Sequence, residues 1–125
     1  MSTLKVNNLQ DASGGNSSTA EQIAQGRAKA WVNFNGTGTV AIRDNFNVSS
    51  ITDNGTGDYT VNFSNALGSS DYCTLCECSD PGTANRGTNI KTDTTPTASL
   101  VRVSSATQYT TVVDPEIYCV AIFGD

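Results

Sequence analysis

Ala28-Lys-Ala-Trp31-Val-Asn-Phe-Asn-Gly36-Thr-Gly-Thr-Val40-Ala-Ile-Arg-Asp44 is the stretch on which the fold turns. Apolar and polar side chains alternate, the chain turns on Asn35-Gly36, and the alternation resumes with Val40 and Ile42. That is the pattern of a β-hairpin. Ala30, Val32 and Phe34 share one face of the first strand and Trp31 takes the other.

Working outward, everything C-terminal to Lys29 reads as strand and turn. Phe46 and Val48 follow Val40 and Ile42. Ile51 leads into Asp53-Asn-Gly-Thr-Gly-Asp58, a hairpin signal in which Asn54 and Gly55 take positive φ, and Tyr59, Val61 and Phe63 return on one face. Residues 72–78 form another strand, 79–88 a long turn-rich loop, 90–92 a short edge strand and 99–103 a further one. The last stretch, Glu116-Ile-Tyr-Cys-Val-Ala-Ile-Phe123, is apolar on both faces. A half-exposed antiparallel strand would alternate with polar residues. Two explanations stand at this point: a continuous sandwich core within one chain, or a subunit contact made through Tyr118, Val120 and Ile122. Burial between subunits would contribute about 1.5–3 kcal/mol for each of these side chains before ordering costs.

The composition agrees with an all-β chain. Of 125 residues, 37% are apolar and only 15% charged, so the balance is neutral and polar, rich in Ser, Thr, Asn and Gly. Thr, Val and Tyr suit strands, and Gly and Asn supply turns. One domain is the expectation for this length. Net charge is −5, and the seven basic residues are scattered singly along the chain, which gives no track for a phosphate backbone. Nucleic acid is therefore not an expected partner. No apolar run approaches a bilayer span, and Met1-Ser-Thr-Leu-Lys5 is not a signal peptide, so no membrane insertion is expected.

Residues 4–9 alternate well enough for a short strand or extended arm, and 11–18 read as a flexible polar link. Ser18-Thr-Ala-Glu21 fits a capping box, from which a helix can run over 19–30. Its apolar face is thin: Ala20, Ile23, Ala24 and Ala30, interrupted by Gly26. So short a helix cannot hold itself in water and must pack on something, either the sandwich of its own chain or a brief bundle of three copies. The division expected is 1–30 as arm, link and helix, for attachment or trimerisation, and 31–125 as a β-sandwich head.

Catalytic chemistry finds little support. With no His, the Ser-His-Asp and Cys-His arrangements and imidazole metal ligation are gone. The carboxylates lie mostly in turns, where Asp bonds its own backbone, and no pair is placed so as to require an acid/base reading. The chain is read as not an enzyme and as needing no cofactor.

Four thiols, in Cys73-Thr-Leu-Cys76-Glu-Cys78 and at Cys119, are the most chemically suggestive set. Buried free thiols come first in order, then a disulfide between Cys119 and one of the cluster, then a zinc site of Cys73, Cys76, Cys78 and Cys119. In a strand, Cys76 and Cys78 face one side and Cys73 the other, which works against a single metal collecting them. Asp53-Asn-Gly-Thr-Gly-Asp58 has the oxygen-rich look of a calcium loop, yet a hairpin turn explains every residue of it. For recognition, the loop residues Asn85 and Arg86 offer hydrogen bonds, and Tyr109 with Tyr72 could stack on a sugar ring.

The wording of residues 28–44, followed by Asn47-Val-Ser-Ser-Ile-Thr-Asp53-Asn-Gly-Thr-Gly-Asp58-Tyr-Thr-Val-Asn-Phe63, resembles the β-rich module found at the C-terminal ends of tail-fibre and tail-appendage proteins of tailed bacteriophages. The resemblance is dense over 4–63 and thin from 71 onward. To the jelly-roll-like antiparallel β-sandwich of about seven to nine strands that the alternation and turns give, it adds assembly as a homotrimer in the host cytoplasm and a place on the virion tail. Leu4, Val6, Leu9, Ile23, Trp31, Tyr118, Val120 and Ile122 would then make attachment or trimer contacts. Other virion tail proteins and host surface polysaccharide are the implied partners, with Asn85, Arg86 and Tyr109 as receptor-binding residues. Met1 stands almost at the module itself, where fibres carry a long shaft; this favours a capsid or tail decoration subunit docking through its N-terminal arm as a second reading. A soluble carbohydrate-binding module is the third.

Overall fold

Two antiparallel sheets packed face to face organise the chain from Ala30 onward in a computed structural model, which describes residues 1–82, 85–107 and 111–124. The sequence lays down β1 (Asn8–Leu9), β2 (Ser18–Thr19), α1 (Ala20–Gly26), β3 (Ala30–Asn35), β4 (Ala41–Phe46), β5 (Val48–Gly55), β6 (Asp58–Phe63), β7 (Cys73–Cys78), β8 (Arg86–Ile90), β9 (Leu100–Thr107), β10 (Thr111–Val112) and β11 (Tyr118–Phe123). One sheet has the order β4-β3-β11-β7. The other runs β10-β9-β6-β5, with β8 also paired to β9. Among the described residues nine strands thus build the sandwich, and β1 pairs with β2 apart from it.

Inward-facing positions of the two sheets meet as one core. Ala30, Val32 and Phe34 of β3 and Tyr118, Val120 and Ile122 of β11 face Tyr59, Val61 and Phe63 of β6, Val101 and Val103 of β9, and Val48. The rings of Phe34 and Tyr118 stack with centroids 5.2 Å apart, and Tyr59 meets Phe34 edge-on at 5.1 Å. Both buried phenols keep a partner, as desolvated hydroxyls must. Tyr59 donates to Asp114 at 2.7 Å, and Tyr118 donates to the Ser104 carbonyl at 2.9 Å.

This core corrects one expectation. Tyr118, Val120 and Ile122 are 0–2% exposed inside their own sandwich, so none of them reaches a subunit contact. β11 lies between β3 and β7 at the centre of its sheet, and its apolar residues are needed by the core of a single chain.

The turns differ from their sequence reading in instructive ways. Gly36 follows β3 not for a left-handed conformation, which Gly38 supplies (φ 62°), but because a Cβ there would stand 2.5 Å from the Tyr59 hydroxyl. In the second hairpin Gly55 and Gly57, rather than Asn54, take positive φ. Gly57 is also crowded, since a Cβ would meet the Ser105 carbonyl oxygen at 2.5 Å. Asn47 (φ 55°) turns the chain from one sheet to the other. Its side chain donates to the Lys29 and Asn65 carbonyls and accepts from the Asn65 N–H. The edge strand expected at 90–92 is β8, which runs earlier and longer, and the strand expected at 99–103 extends to Thr107 as β9.

N-terminal to β3 the structure changes character. The stretch 11–18 is a turn rather than a flexible link: the Asp11 carboxylate accepts from the Ser13 and Gly15 N–H groups, the Ser13 hydroxyl and the Asn16 amide. The capping box exists one residue later than expected, between Thr19 and Gln22. α1 ends at Gly26 and does not reach Ala30. None of its residues is buried, so it does not lie on the sandwich of its own chain. Leu4, Val6, Leu9 and Ile23 are all exposed.

Candidate functional site

Two surfaces combine defined geometry with unspent chemistry. The first is the outer face of the β4-β3-β11-β7 sheet. Strand register sets Phe46 opposite Trp31, Trp31 opposite Ala121, and Ala121 opposite Leu75, so an apolar row crosses all four strands. Phe46, Trp31 and Leu75 are 54%, 37% and 58% exposed. Strict alternation would set Phe46 on the inner face with Ile42. A bulge at Arg43 shifts the register, so that Ile42 faces inward opposite Phe34 while Asp44 and Phe46 face outward.

Small side chains on the central strand hollow this face. Ala121 and Cys119 form a floor between the Trp31 side of β3 and the Leu75 side of β7, leaving a depression of about 600 Å³. Asn33 and Glu77 flank Cys119 along the adjacent row. A groove with an apolar floor, an aromatic wall and one carboxylate suits an apolar protein segment better than a sugar or a phosphate.

The second surface is a cleft of about 270 Å³ at one end of the sandwich, lined by Thr37, Ser79, Asp80, Pro81, Arg86, Asp114 and Glu116. Its walls are tied down. Asp114 accepts from Gly57 N–H and Tyr59 hydroxyl at 2.7 Å each, Ser79 exchanges bonds with the Ile117 backbone, and Arg43 donates to the Glu116 carbonyl. Arg86 Nε is buried without a hydrogen-bond partner. The cleft therefore offers carboxylate acceptors and a guanidinium donor, the set that binds a hydroxyl-rich ligand. Asn85 is exposed beside it; Tyr109 lies outside the described residues. Tyr72 is no sugar platform, since its hydroxyl donates to the Leu100 and Thr97 carbonyls and its ring packs edge-on against Phe63. Burial pushes that phenol up to about 12.

All four cysteines are free thiols. Cys76 and Cys78 point toward the core, and burial pushes Cys76 up to about 11. Cys73 and Cys119 occupy the other face of the sheet, with Cys73 exposed and paired in register with Phe123. Opposite faces keep Cys119 from a disulfide with Cys76 or Cys78, and among the described residues no cluster of Cys, Asp and Glu is arranged to hold a metal ion. Asp58, read as closing its turn, instead takes a bidentate bond from Arg102 (2.7 and 2.8 Å) and one from Lys91 (2.7 Å). Those cations hold its carboxyl down at about 2. Neither the bulge at Arg43 nor the Arg102–Asp58–Lys91 group has a local sequence signal.

Among the described residues no helix is long and apolar enough to cross a membrane. In comparisons with known proteins, the chain matches no family model, no curated protein and no solved structure.

Proposed function

We propose that this chain is a non-enzymatic structural subunit of a bacteriophage virion, a tail-fibre or tail-tip appendage that assembles as a homotrimer and contacts the host surface. The observation that carries this reading is the division of labour in the chain. Residues from 30 onward bury a core of their own, while residues 1–27 leave every large apolar side chain they own in solvent. An arm with exposed Leu4, Val6, Leu9 and Ile23 is built to be covered by something else. The resemblance of residues 4–63 to tail-appendage modules is the ground for reading that assembly as a virion tail. The Arg86 cleft supports polysaccharide as the host ligand, because its carboxylates and guanidinium match vicinal hydroxyls.

The exposed arm also favours a second reading, a capsid or tail decoration subunit that docks through residues 4–9 and binds no receptor. Gold-labelled antibody against the purified chain, applied to the parent particles in electron microscopy, tests both. Label at the tail tip supports the appendage, label along the capsid or tail tube supports decoration, and unlabelled particles contradict both.

A further inference from the structure

The hollow between Trp31 and Leu75 and the arm are two apolar surfaces on one chain: residues 8–9 of the arm pair with β2, yet the side chains of Leu4, Val6 and Leu9 stay exposed, as do Trp31 and Leu75. We propose that they are complementary: residues 4–9 of a second copy seat in the groove over Ala121 and Cys119. The proposal deepens the self-association named above and rests on it.

Spacing supports the fit. Leu4 and Val6 stand two residues apart, so an extended chain places them on one side roughly 6.6 Å from each other. Ala121 and Cys119 have the same separation along β11, each with a small side chain that leaves room above it. Two aliphatic side chains can therefore drop onto two small ones between the Trp31 and Leu75 walls.

Charge supports the same occupant. Residues 4–9 carry one basic side chain, Lys5, and no acidic one, whereas residues 31–125 carry four basic and ten acidic ones. The groove face itself bears Glu77 and Asp44. A weakly cationic arm approaching an acidic head is attracted, while two heads meeting face to face repel. Arm-to-head contact is the association that the charges favour.

Trp31 is the chain's single tryptophan and forms one wall of the groove, so its fluorescence reports occupancy directly. The full chain is compared with Leu4→Asp/Val6→Asp and with Ala121→Arg, which fills the hollow from an outward-facing position. Emission, solution mass and thermal unfolding are read over a hundredfold range of concentration. The proposal expects the emission of the full chain to shift to shorter wavelength as its mass rises, and both variants to remain red-shifted single chains with at least tenfold weaker association. An unchanged unfolding temperature in dilute solution shows that each variant keeps the sandwich; Leu75→Glu, at an exposed wall, replaces Ala121→Arg if that one unfolds. A blue-shifted single chain would mean that the arm covers its own groove, and overturns the proposal. An oligomer whose Trp31 emission and variants do not respond overturns it too, while leaving the proposed function standing. A single chain with unshifted emission at every concentration removes both.

Discussion

Trp31 and Phe46 sit opposite each other on the outside of β3 and β4, although strict alternation from Ile42 would send Phe46 into the core. One extra residue, Arg43, reverses the parity of the strand. The inner face thereby gives up one aromatic ring and the outer face gains a continuous apolar row, so a local irregularity decides which surface of this protein exposes apolar side chains.

The two faces should respond differently to truncation. Phe34→Ala removes a fully buried ring that stacks on Tyr118 and is expected to cost about 3–5 kcal/mol. Phe46→Ala, at an exposed position, is expected to cost the isolated chain less than about 1 kcal/mol. Urea unfolding in dilute solution checks both. Equal costs would mean that Phe46 belongs to the core.

Asp58 gives a pH dependence with a defined sign. The cations of Arg102 and Lys91 lower its carboxyl from the ordinary value of 3.8 to about 2. The folded state thus holds its proton less tightly than the unfolded state. The resulting stabilisation, about 1–2 kcal/mol, is fully present above pH 4 and fades as pH falls toward 2. Asp58→Asn should lower stability at pH 7 and close the gap with the parent near pH 2. A difference that persists unchanged at pH 2 would contradict the ion-pair account.

Glycines 57 and 38 separate crowding from conformation. Both have positive φ, but a Cβ at Gly38 meets open space while one at Gly57 strikes the Ser105 and Val113 backbone. Gly38→Ala should cost about 1 kcal/mol and Gly57→Ala clearly more, as measured by thermal unfolding. Comparable losses would show that the sheet yields around Gly57.

The thiols should divide by burial. Cys73 is exposed, whereas Cys76 lies against the core and burial raises its thiol to about 11. A maleimide at pH 7.5 should modify Cys73 within minutes and Cys76 only on unfolding, as peptide mass mapping can show. Adding a chelator should leave the unfolding temperature unchanged. A chelator-induced fall would revive a metal site.

Alternation made the sandwich legible from Ala30, Val32 and Phe34 and from Tyr59, Val61 and Phe63, because inward residues at period two are what a half-covered strand requires. The same logic left β11 undecided. Its two faces are both apolar, and only the neighbours β3 and β7 show that Tyr118, Val120 and Ile122 serve the core while Cys119 and Ala121 floor a groove. Glycine was legible as a turn former, yet Gly36 is set by a tyrosine hydroxyl 23 residues away, a cause no local pattern contains. The groove was hidden for the same reason, because its walls come from strands 44 residues apart that meet only across β11.

The central claim is that this chain completes its apolar surface with copies of itself. Sedimentation equilibrium of the full chain at micromolar concentrations measures that most directly. The account predicts a species of three times the 13.1 kDa chain mass that dissociates on dilution. A constant mass of one chain at every concentration would contradict it.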